Sequence, residues 1–495
     1  MSQSKAVSKA LASGFMFDSK AFDLISKLPP EFDVDGLVDV LLQRKSDVVG
    51  GESKRITAED VVELLPSDVP TMDQEARLAA PLDESVDMEM ISDPTMGIAP
   101  AEAFEGFARL FRDRYDRLLS VVKRRPDTRN VGTTAAGRAL VQGQKAKVVG
   151  LISHKVNRRN VVELTLDDPT GTLRAVCQDE AVAKAAREAP LDSMVVLEVS
   201  RSRSGQLYAN SLTLPDVPDR RMSGQGHRVY AVLLSDLHVG SKMFLADDFR
   251  RFIQWINGKL GDLDVVSRIR YVVVAGDLVD GVGVYPGQEL QLAERDPKNQ
   301  YEAAAKLLEQ VPSQIQIVVS PGNHDAVRQA LPQPAVPADF AESLYRMENV
   351  RWVGDPAYVK LHGVTFLIYH GKSLDDVIAT TPELAYGKPT DAMKLLLRSR
   401  HLAPTYGKRT ALSPELRDFM VVDPVPDVLH CGHVHAFGEL NYRGTLLVNS
   451  GTWQSQTSFQ ANMGLEPTPS IIPVVNLSDL SVTRRNFGSA GFPAA

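Results

Sequence analysis

Five short apolar segments, each followed by polar residues that can bind metal ions, constrain this chain more than any other feature. The segments span residues 230–234, 271–275, 315–319, 364–368 and 428–429. Apolar runs of this length, bounded by turn residues, are typical of buried strands. Because loops at the carboxyl ends of strands carry the ligand sites of α/β sheets, the pattern predicts an α/β sheet whose strand ends share one site.

The third segment shows how a strand of this kind delivers its side chains. It ends in a Ser-Pro-Gly turn, which predicts a loop that presents Asn323, His324 and Asp325. The other four segments are followed by residues of the same kinds. These residues are Asp236 and His238, Asp277 and Asp280, His370, and His433 and His435.

The donor types in this set decide which chemistry it can support. Carboxylate, amide and imidazole groups without a thiolate suit Mn²⁺, Fe or Zn²⁺ at a catalytic site better than they suit a Cys-rich structural zinc site. Seven ligands are too many for one open catalytic ion and fit two ions that share a bridging carboxylate. The seven predicted ligands are Asp236, His238, Asp277, Asn323, His370, His433 and His435. Each motif alone is weak, but its recurrence after five strands argues against ordinary core or surface histidines.

These motifs resemble the calcineurin-like metallophosphoesterase superfamily. The pattern reads Asp236-x-His238, Gly276-Asp277-x-x-Asp280, Gly322-Asn323-His324-Asp325, His370 and Gly432-His433-x-His435. Segments 276–288, 321–330, 369–376, 401–407 and 449–454 are further similar to the small subunits of archaeal family-D DNA polymerases. This resemblance is strong over about residues 230–473, moderate from about residue 138 and thin before that. For the phosphoesterase region it implies an α/β fold with a two-sheet sandwich flanked by helices, preceded by an OB-fold barrel and a small N-terminal helical domain.

The resemblance implies two ion sites joined by the bridging carboxylate of Asp277. One site would be held by Asp236, His238 and His435, and the other by Asn323, His370 and His433. Mn²⁺ is the expected metal, with Mg²⁺, Fe and Zn²⁺ as alternatives.

His324 follows a ligand directly but is surplus to both ion sites. We expect it to stabilise the transition state and to protonate the departing oxygen. Asp280 and Asp325 are expected to orient His324 or a ligand imidazole from outside the coordination sphere. For Asp280 a turn-stabilising role is an open alternative.

The activity implied by the resemblance is a proofreading 3′-to-5′ exonuclease that releases 5′-mononucleotides by a two-metal mechanism. Such a subunit would also scaffold a separate large polymerase subunit, in a heterodimer or heterotetramer, and would take a primer-template or a single-stranded 3′ end. Two alternatives stay open, namely a catalytically silent scaffold and a different two-metal phosphoesterase such as a repair nuclease. All ligand positions are filled here, whereas the related eukaryotic regulatory subunits have lost ligands, and this favours hydrolysis. Polymerisation is expected to belong to another chain, because no Gly-rich phosphate loop or paired-carboxylate pattern stands out.

Composition restricts the location and the partners. The net charge of -7 over 495 residues requires any DNA contact to use a local basic patch. The two cysteines are far apart in sequence, which fits a reducing cytosol, and no apolar run reaches membrane-spanning length. We therefore expect a soluble, nucleoid-associated cytoplasmic protein without a membrane contact. A sliding-clamp contact is left open by the tail after Asn476.

Five regions are predicted along the chain. They are a small helical module at 1–65, a flexible acidic linker at 66–100, a docking helix at 101–126, an OB-fold barrel at 138–216 and the phosphoesterase domain at 227–490. In the module, helices are predicted over 5–12, 19–28, 34–44 and 57–65. In the barrel, five strand segments surround a helix at 180–188 between the third and the fourth. Since Tyr208 is its only aromatic residue, protein docking is favoured over single-strand binding.

The best candidate for a phosphate-backbone patch is the insertion at 376–420 with its flanking residues. It carries many lysines and arginines and few acids, although a solvated surface helix is an open alternative. The candidate DNA-binding residues are Arg328, Lys372, Arg398, Lys408 and Arg409.

Overall fold

A computed structural model gives the fold of two separate compact units. It describes residues 9–10, 13, 15–18, 21–22, 25, 33–47, 55–57, 60–61, 85–99, 103–220, 228–462 and 464–488. The first unit contains residues 1–85 and 250–269, and the second contains residues 86–249 and 270–495. The predicted docking helix, the barrel and most of the phosphoesterase region thus fall within the second unit, while residues 250–269 of the phosphoesterase region fall within the first.

The first unit includes helix α1 (Val34–Asp47), which was predicted over 34–44. A pair of two-residue parallel strands, β1 (Met16–Phe17) and β2 (Arg55–Ile56), accompanies it and was not predicted. Ile25, Val38, Leu41 and Ile56 are among the residues of its small apolar core. The other three predicted helices lie mostly outside the described residues.

A closed five-stranded barrel forms the first part of the second unit. Its strands are β4 (Lys145–Arg158), β5 (Val161–Asp168), β6 (Gly171–Cys177), β7 (Met194–Arg201) and β8 (Leu207–Thr213), in the order β4-β5-β6-β8-β7. Helix α3 (Thr134–Arg138) precedes it, and α4 (Glu180–Glu188) lies between β6 and β7, where a helix was predicted. Asp179 caps α4 by accepting from two backbone amides of its first turn.

Helix α2 (Ala103–Lys123) is the predicted docking helix, and it packs between the barrel and the insertion. Its apolar face contacts Val149 and Met194 of the barrel and Val421 beyond the insertion. Arg114 of this helix is fully buried and donates to Asp418 at 2.7 Å. A buried charge of this kind requires a paired partner. Arg114 therefore has a structural role, which excludes it from a nucleic-acid surface.

The rest of the second unit is built on two six-stranded sheets. The first has the order β12-β11-β10-β9-β18-β19 and consists of β9 (Tyr230–Leu234), β10 (Ile269–Ala275), β11 (Gln316–Ser320), β12 (Val350–Trp352), β18 (Ile471–Asn476) and β19 (Val482–Asn486). The second has the order β16-β17-β15-β14-β13-β3 and consists of β3 (Met88–Ser92), β13 (Ala357–Leu361), β14 (Val364–Ile368), β15 (Val428–Cys431), β16 (Gly438–Tyr442) and β17 (Thr445–Asn449). Both sheets contain parallel and antiparallel pairs.

A shared apolar core lies between the two sheets, and helices connect their strands. Ala231 and Val273 of the first sheet and Phe366 and Val448 of the second belong to this core. The helices of the second unit are α7 (Pro297–Leu308), α8 (Glu342–Tyr345), α9 (Leu374–Thr380), α10 (Pro389–Ser399) and α11 (Ser458–Asn462). In the chain between β9 and β10, α5 (Ala246–Ile256) begins in the second unit and ends in the first, and α6 (Leu263–Val266) belongs to the first. The five strands that precede the predicted ligands were all expected. β9, β10 and β11 belong to one sheet and β14 and β15 to the other, which fits the predicted two-sheet arrangement.

The prediction of a flexible linker over 66–100 is wrong for its last part. Met88–Ser92 forms β3, which pairs antiparallel with β13 at the edge of the second sheet. A 3₁₀ turn at Pro94–Met96 follows, capped by Asp93. The acidic, Met-rich composition suggested no strand, because an edge strand needs only one pairing partner and lacks a clear apolar alternation. Residues 66–84 lie outside the described residues.

Within the described ranges, no helix combines the length and the hydropathy needed to cross a bilayer.

Candidate metal centre

The loops that follow β9, β10, β11, β14 and β15 bring all seven predicted ligands together. Asp236, His238, Asp277 and His370 are almost completely buried, while Asn323 and His433 retain partial exposure. The cluster therefore opens to solvent on the side of Asn323 and His433. This is the arrangement that a substrate needs to reach otherwise buried polar groups.

The backbone at this cluster is held in an unfavourable conformation. Five of the seven residues have left-handed φ angles, namely Asp236 (52°), His238 (53°), Asp277 (53°), His433 (73°) and His435 (57°). For residues with a Cβ this conformation costs roughly 1–2 kcal/mol each. Such strain persists only where the surrounding structure imposes it, and it concentrates at functional sites.

One group of donor atoms consists of Asp236, His238 and His435. The Nε2 atoms of His238 and His435 lie 3.0 Å apart, and Asp236 Oδ1 lies 3.3 Å from His435 Nε2. These atoms converge on one point, where a cation would satisfy all three at once. The two imidazoles face each other with like polar atoms, so the donor set fits a divalent ion.

The second group is centred on His370. Its Nε2 lies 3.2 Å from Asp277 Oδ2 and 3.1 Å from Asn323 Oδ1. The ligating atoms of Asp277, His370 and His433 all lie within 4.8 Å of one another. Asp277 Oδ2 also lies 3.9 Å from His238 Nε2, so this carboxylate stands between the two groups. That placement is the one required of a bridging ligand.

Each of these four histidines has its other ring nitrogen bound to a group outside the cluster. His238 Nδ1 lies 3.0 Å from Asp280 Oδ1, and His370 Nδ1 lies 2.9 Å from the carbonyl of Ala275. The remaining contacts are His433 Nε2 with Asp375 Oδ2 at 3.1 Å and His435 Nδ1 with the Gln460 side-chain amide at 2.7 Å. The acceptors beside His238, His370 and His433 fix ring orientation as at metal sites and leave the second nitrogen for an ion. The Gln460 amide nitrogen is a donor, so it fixes the orientation of the His435 ring only.

The carboxylates in the cluster are stabilised in their charged form. Burial alone would raise the pKa of Asp277, but His370 and His324 hold it well below its usual value. Burial would likewise raise the pKa of Asp236, but His435 outweighs burial and lowers the pKa of this carboxylate. The same charges act in return on His370, where Asp277 and Asp236 outweigh burial and raise the pKa to about 10. A cation would replace these protons as the counter-charge.

Glycines next to the ligands allow the loops to approach closely. A Cβ at Gly322 would lie 2.2 Å from Asp277 Oδ1, and one at Gly432 would lie 2.4 Å from Asp236 Oδ2. No side chain can occupy these positions without displacing a carboxylate. The Gly-Asn-His-Asp and Gly-His-x-His motifs thus depend on glycine as much as on the ligands.

His324 lies at the edge of the cluster and outside both donor groups. Its Nδ1 lies 2.7 Å from the carbonyl of Asp280, and its Nε2 lies 3.9 Å from Asp277 Oδ2. Because a carbonyl only accepts, Nδ1 carries a proton and Nε2 faces the cluster. Burial lowers the pKa of His324 to about 4.

The two carboxylates expected to orient imidazoles differ from each other. Asp280 holds His238 through its side chain, and it holds His324 through its backbone carbonyl. Asp325 contacts no imidazole in the described part of the chain. It accepts instead from the Gly322 amide at 2.8 Å and from the Tyr301 hydroxyl at 2.9 Å. Asp325 therefore shapes the loop that carries Asn323 rather than a ligand ring.

Three further residues support the cluster that were not predicted as site residues. Asp375 on α9 and Gln460 on α11 contact His433 and His435 as described above. Asp355 is fully buried and accepts from the His370 backbone amide at 2.9 Å. Of the three, only Asp375 could have been found from the sequence, because it lies in the Tyr369–Asp376 motif. Asp355 and Gln460 belong to no motif and are brought to the cluster by the tertiary fold.

We expect Asp375→Asn to weaken Mn²⁺ binding by about 10–100-fold, the usual effect of losing a carboxylate that orients a ligand imidazole. The Asp375 carboxylate contacts His433 Nε2, and despite burial this histidine lowers its pKa to about 2. Calorimetric titration with Mn²⁺ measures the effect. The matched control is Asp391→Asn, which removes an exposed carboxylate from α10. Equal affinities in the two variants would contradict the role given to Asp375.

The five candidate DNA-binding residues occupy different environments. Arg328 pairs with the buried Glu415 at 2.7 Å, and Arg398 lies 3.9 Å from Asp216. Lys372 donates to the carbonyl and to the side chain of Gln329. Lys408 and Arg409 are exposed on the loop that follows Tyr406. Only these last two project into solvent in the way that a phosphate contact requires.

The same chain can be compared with known proteins. Residues 231–439 match the family model of the DNA polymerase alpha/epsilon B subunits. The chain is 38% identical over 493 residues to the DNA polymerase II small subunit of Archaeoglobus fulgidus, with 97% of each chain covered. The protein of the same name from Methanothermobacter thermautotrophicus is 34% identical over 481 residues, covering 95% of this chain and 97% of the relative. The protein of the same name from Pyrococcus furiosus is 39% identical over 388 residues, which cover 77% of this chain and 63% of the relative.

Solved structures show a more distant likeness. An archaeal phosphodiesterase is 15% identical, with a TM-score of 0.27 and coverage of 52% of this chain and 98% of that one. Zn²⁺-bound Vps29 from Entamoeba histolytica is 14% identical, with a TM-score of 0.26 and coverage of 52% of this chain and 100% of Vps29. At these TM-scores the likeness supports no conclusion about fold or function.

Proposed function

The chain belongs to the DNA polymerase II small-subunit family, and from this premise we propose that it is the proofreading 3′-to-5′ exonuclease of a heteromeric DNA polymerase. It would hydrolyse DNA phosphodiesters with two divalent cations, Mn²⁺ being the expected metal, and release 5′-mononucleotides. The observation that carries the proposal is the convergence of seven donors from five strand ends into two groups around Asp277. A small subunit implies a large catalytic subunit, which this chain would also scaffold.

The fold fits this proposal. We assign the two facing sheets to the calcineurin-like phosphoesterase class and the closed barrel to the OB class. The barrel assignment is supported by its strand order and by the position of α4. The sheet assignment is supported by ligands at the carboxyl ends of strands from both sheets.

In this mechanism the ligands and His324 have separate tasks. Asp236, His238 and His435 would hold one ion, and Asn323, His370 and His433 the other, with Asp277 between them. Two cations held there would supply a water-derived nucleophile near neutral pH and would neutralise the charge that develops on the phosphoryl oxygens. Asn323 is a neutral ligand, which limits negative charge near the incoming phosphate. His324 faces the same space through Nε2 and would donate a proton to the departing 3′ oxygen.

The DNA is proposed to enter from the open side of the cluster. Lys408 and Arg409 remain the candidates for backbone contacts, because Arg328 and Arg398 are engaged by carboxylates and Lys372 donates to Gln329. The proposed substrates are single-stranded 3′ ends and mismatched primer ends, and the proposed place of action is the nucleoid in the cytoplasm.

The proposal is tested by incubating the full-length protein with 3′-mismatched primer-templates labelled at the 5′ end, alone and together with its large subunit. With Mn²⁺ we expect stepwise shortening from the 3′ end and release of 5′-mononucleotides. EDTA should abolish the reaction, and renewed Mn²⁺ should restore it. If the protein cleaves no DNA, either alone or together with its large subunit, while the two subunits still copurify, the chain is a scaffold. Cleavage of small phosphomonoesters but not of DNA would indicate a different phosphoesterase.

A further inference from the structure

A loop that connects β10 to α7 places apolar and aromatic side chains beside the metal cluster. This loop, residues 281–291, begins directly after Asp280 and is called the rim loop here. Gly283 and Gly287 have left-handed φ angles of 75° and 81°, and no atoms would contact a Cβ at either position. The glycines thus turn the chain in open space rather than against another element.

The rim loop exposes side chains that ordinarily avoid water. Leu290 is 71% exposed and Val282 is 47% exposed. Between them in sequence lies Tyr285, whose ring centroid is 6.2 Å from that of His324 at an interplanar angle of 59°. The ring of Tyr285 therefore borders His324, and the two exposed aliphatic side chains belong to the same loop. Neither the ligand geometry nor the general-acid role makes use of them.

The loop is fixed at both ends, so its ring is held in place. Gln288 accepts from the Val284 amide at 2.9 Å and donates to the Asp280 carbonyl at 2.7 Å. At the far end Lys242 donates through Nζ to the Leu290 carbonyl at 2.9 Å. The Tyr285 hydroxyl contacts Gln291 at 3.4 Å. A ring held in this way loses little conformational entropy on binding.

We propose that the rim loop forms a subsite for the 3′-terminal nucleobase, with Tyr285 stacking on its face. The inference rests on the proposed exonuclease function, which places the terminal phosphodiester at the metal cluster. The base of that nucleotide then projects to one side of the cluster. Flat aromatic and aliphatic groups suit the face of a base, and stacking of this kind is independent of sequence, as removal of any terminal nucleotide requires.

The chemistry of the loop favours a base over a phosphate. From Gly281 to Gln291 the loop contains no lysine or arginine, and its one charged residue is Glu289. A phosphate contact would need cations or clustered amide donors. The rim loop therefore complements the neutral part of a nucleotide and leaves its phosphate to the ions.

The test compares two oligonucleotides that differ only in the terminal residue, one with a normal base and one abasic. With Mn²⁺ the unaltered protein should have a kcat/KM about tenfold or more higher for the normal end, as expected from the loss of one base–aromatic stack. Tyr285→Leu should remove this preference, mainly through KM, and should leave Mn²⁺ affinity unchanged. Tyr285→Phe keeps the ring and should keep the preference, which controls for the loss of the hydroxyl.

Several outcomes would overturn the subsite. One is an unaltered preference in Tyr285→Leu, and another is the absence of any preference in the unaltered protein. In a third, Tyr285→Leu copurifies less of the large subunit and keeps the preference, because the loop would then be a protein contact.

If the unaltered protein cleaves neither oligonucleotide, the proposed function fails, and the subsite is judged by binding alone. A 3′-terminal 2-aminopurine on an uncleavable phosphonate linkage should then be quenched by the unaltered protein and by Tyr285→Phe but not by Tyr285→Leu. No quenching by the unaltered protein rejects the subsite.

Discussion

Asp277→Asn should reduce Mn²⁺-dependent DNA cleavage by at least about 10⁴-fold. Its carboxylate lies between the two donor groups, 3.2 Å from His370 Nε2 and 3.9 Å from His238 Nε2, so its charge would serve both of the proposed ions. Each ion of a two-metal site contributes several kcal/mol of transition-state stabilisation, and a tenfold change in rate corresponds to about 1.36 kcal/mol. The asparagine amide has a similar size but no charge, so the substitution would weaken Mn²⁺ binding at both proposed ion sites. Single-turnover cleavage and calorimetric Mn²⁺ titration measure the two effects.

The matched control for this change is Asp339→Asn, which removes one exposed carboxylate elsewhere in the same chain. It should retain both cleavage and Mn²⁺ binding. The bridging role is wrong if Asp277→Asn still binds two equivalents of Mn²⁺ with unchanged affinity. A variant that loses binding of only one ion would place Asp277 in a single site.

His324→Ala should slow cleavage by about 10²–10⁴-fold while both ions still bind. This range is the usual contribution of a positioned general acid. His324 is not one of the seven predicted ligands, although it forms a further possible metal-binding group with His238 and Asp280. Its Nδ1 is fixed by the Asp280 carbonyl. Burial lowers its pKa to about 4, so the imidazole is neutral at pH 7 until a nearby negative charge favours its protonation. In the proposed mechanism the bound phosphodiester would supply that charge, and Nε2 would then carry the proton that passes to the departing oxygen.

Cleavage of a substrate with an activated leaving group provides the decisive comparison. An aryl leaving group departs without a proton, so His324→Ala should lose much less activity on an aryl phosphodiester than on DNA. His154→Ala, at an exposed barrel position, is the control and should behave as the unaltered protein on both substrates. Equal losses on the two substrates would contradict the acid role, and a loss of Mn²⁺ binding would make His324 a ligand.

The sequence predicted the positions of the chemically important side chains well because they follow strongly apolar strands. The segments before Asp236, Asp277 and His370 are each five to seven residues of buried strand in the structure. Their apolar character and the turn residues after them are local signals. Within each sheet the convergence of the strand ends could be predicted as well, since strand ends of one direction meet at an edge. The meeting of the ends of β9–β11 with those of β14 and β15 depends in addition on the packing of the two sheets against each other.

The groups that support the ligands could not be predicted in the same way. Asp375, Asp355 and Gln460 are near His433, His370 and His435 only because three separate segments fold onto the loops. No spacing along the chain relates them to their partners. Asp325 was expected to orient an imidazole, but its carboxylate accepts from the Gly322 amide and from the Tyr301 hydroxyl. This contact also depends on the tertiary fold and not on spacing along the chain.

The edge strand β3 has a consequence for how this protein can be divided. It precedes the barrel in the chain, yet it completes a sheet whose other strands all follow the barrel. The barrel is therefore nested inside the sequence of the domain that it accompanies. A fragment starting after the barrel would lack β3, so β13 would keep β14 on one side and have an unpaired edge on the other. An unpaired edge of this kind can pair with other copies of the chain. During synthesis, β3 leaves the ribosome long before its place in the sheet exists.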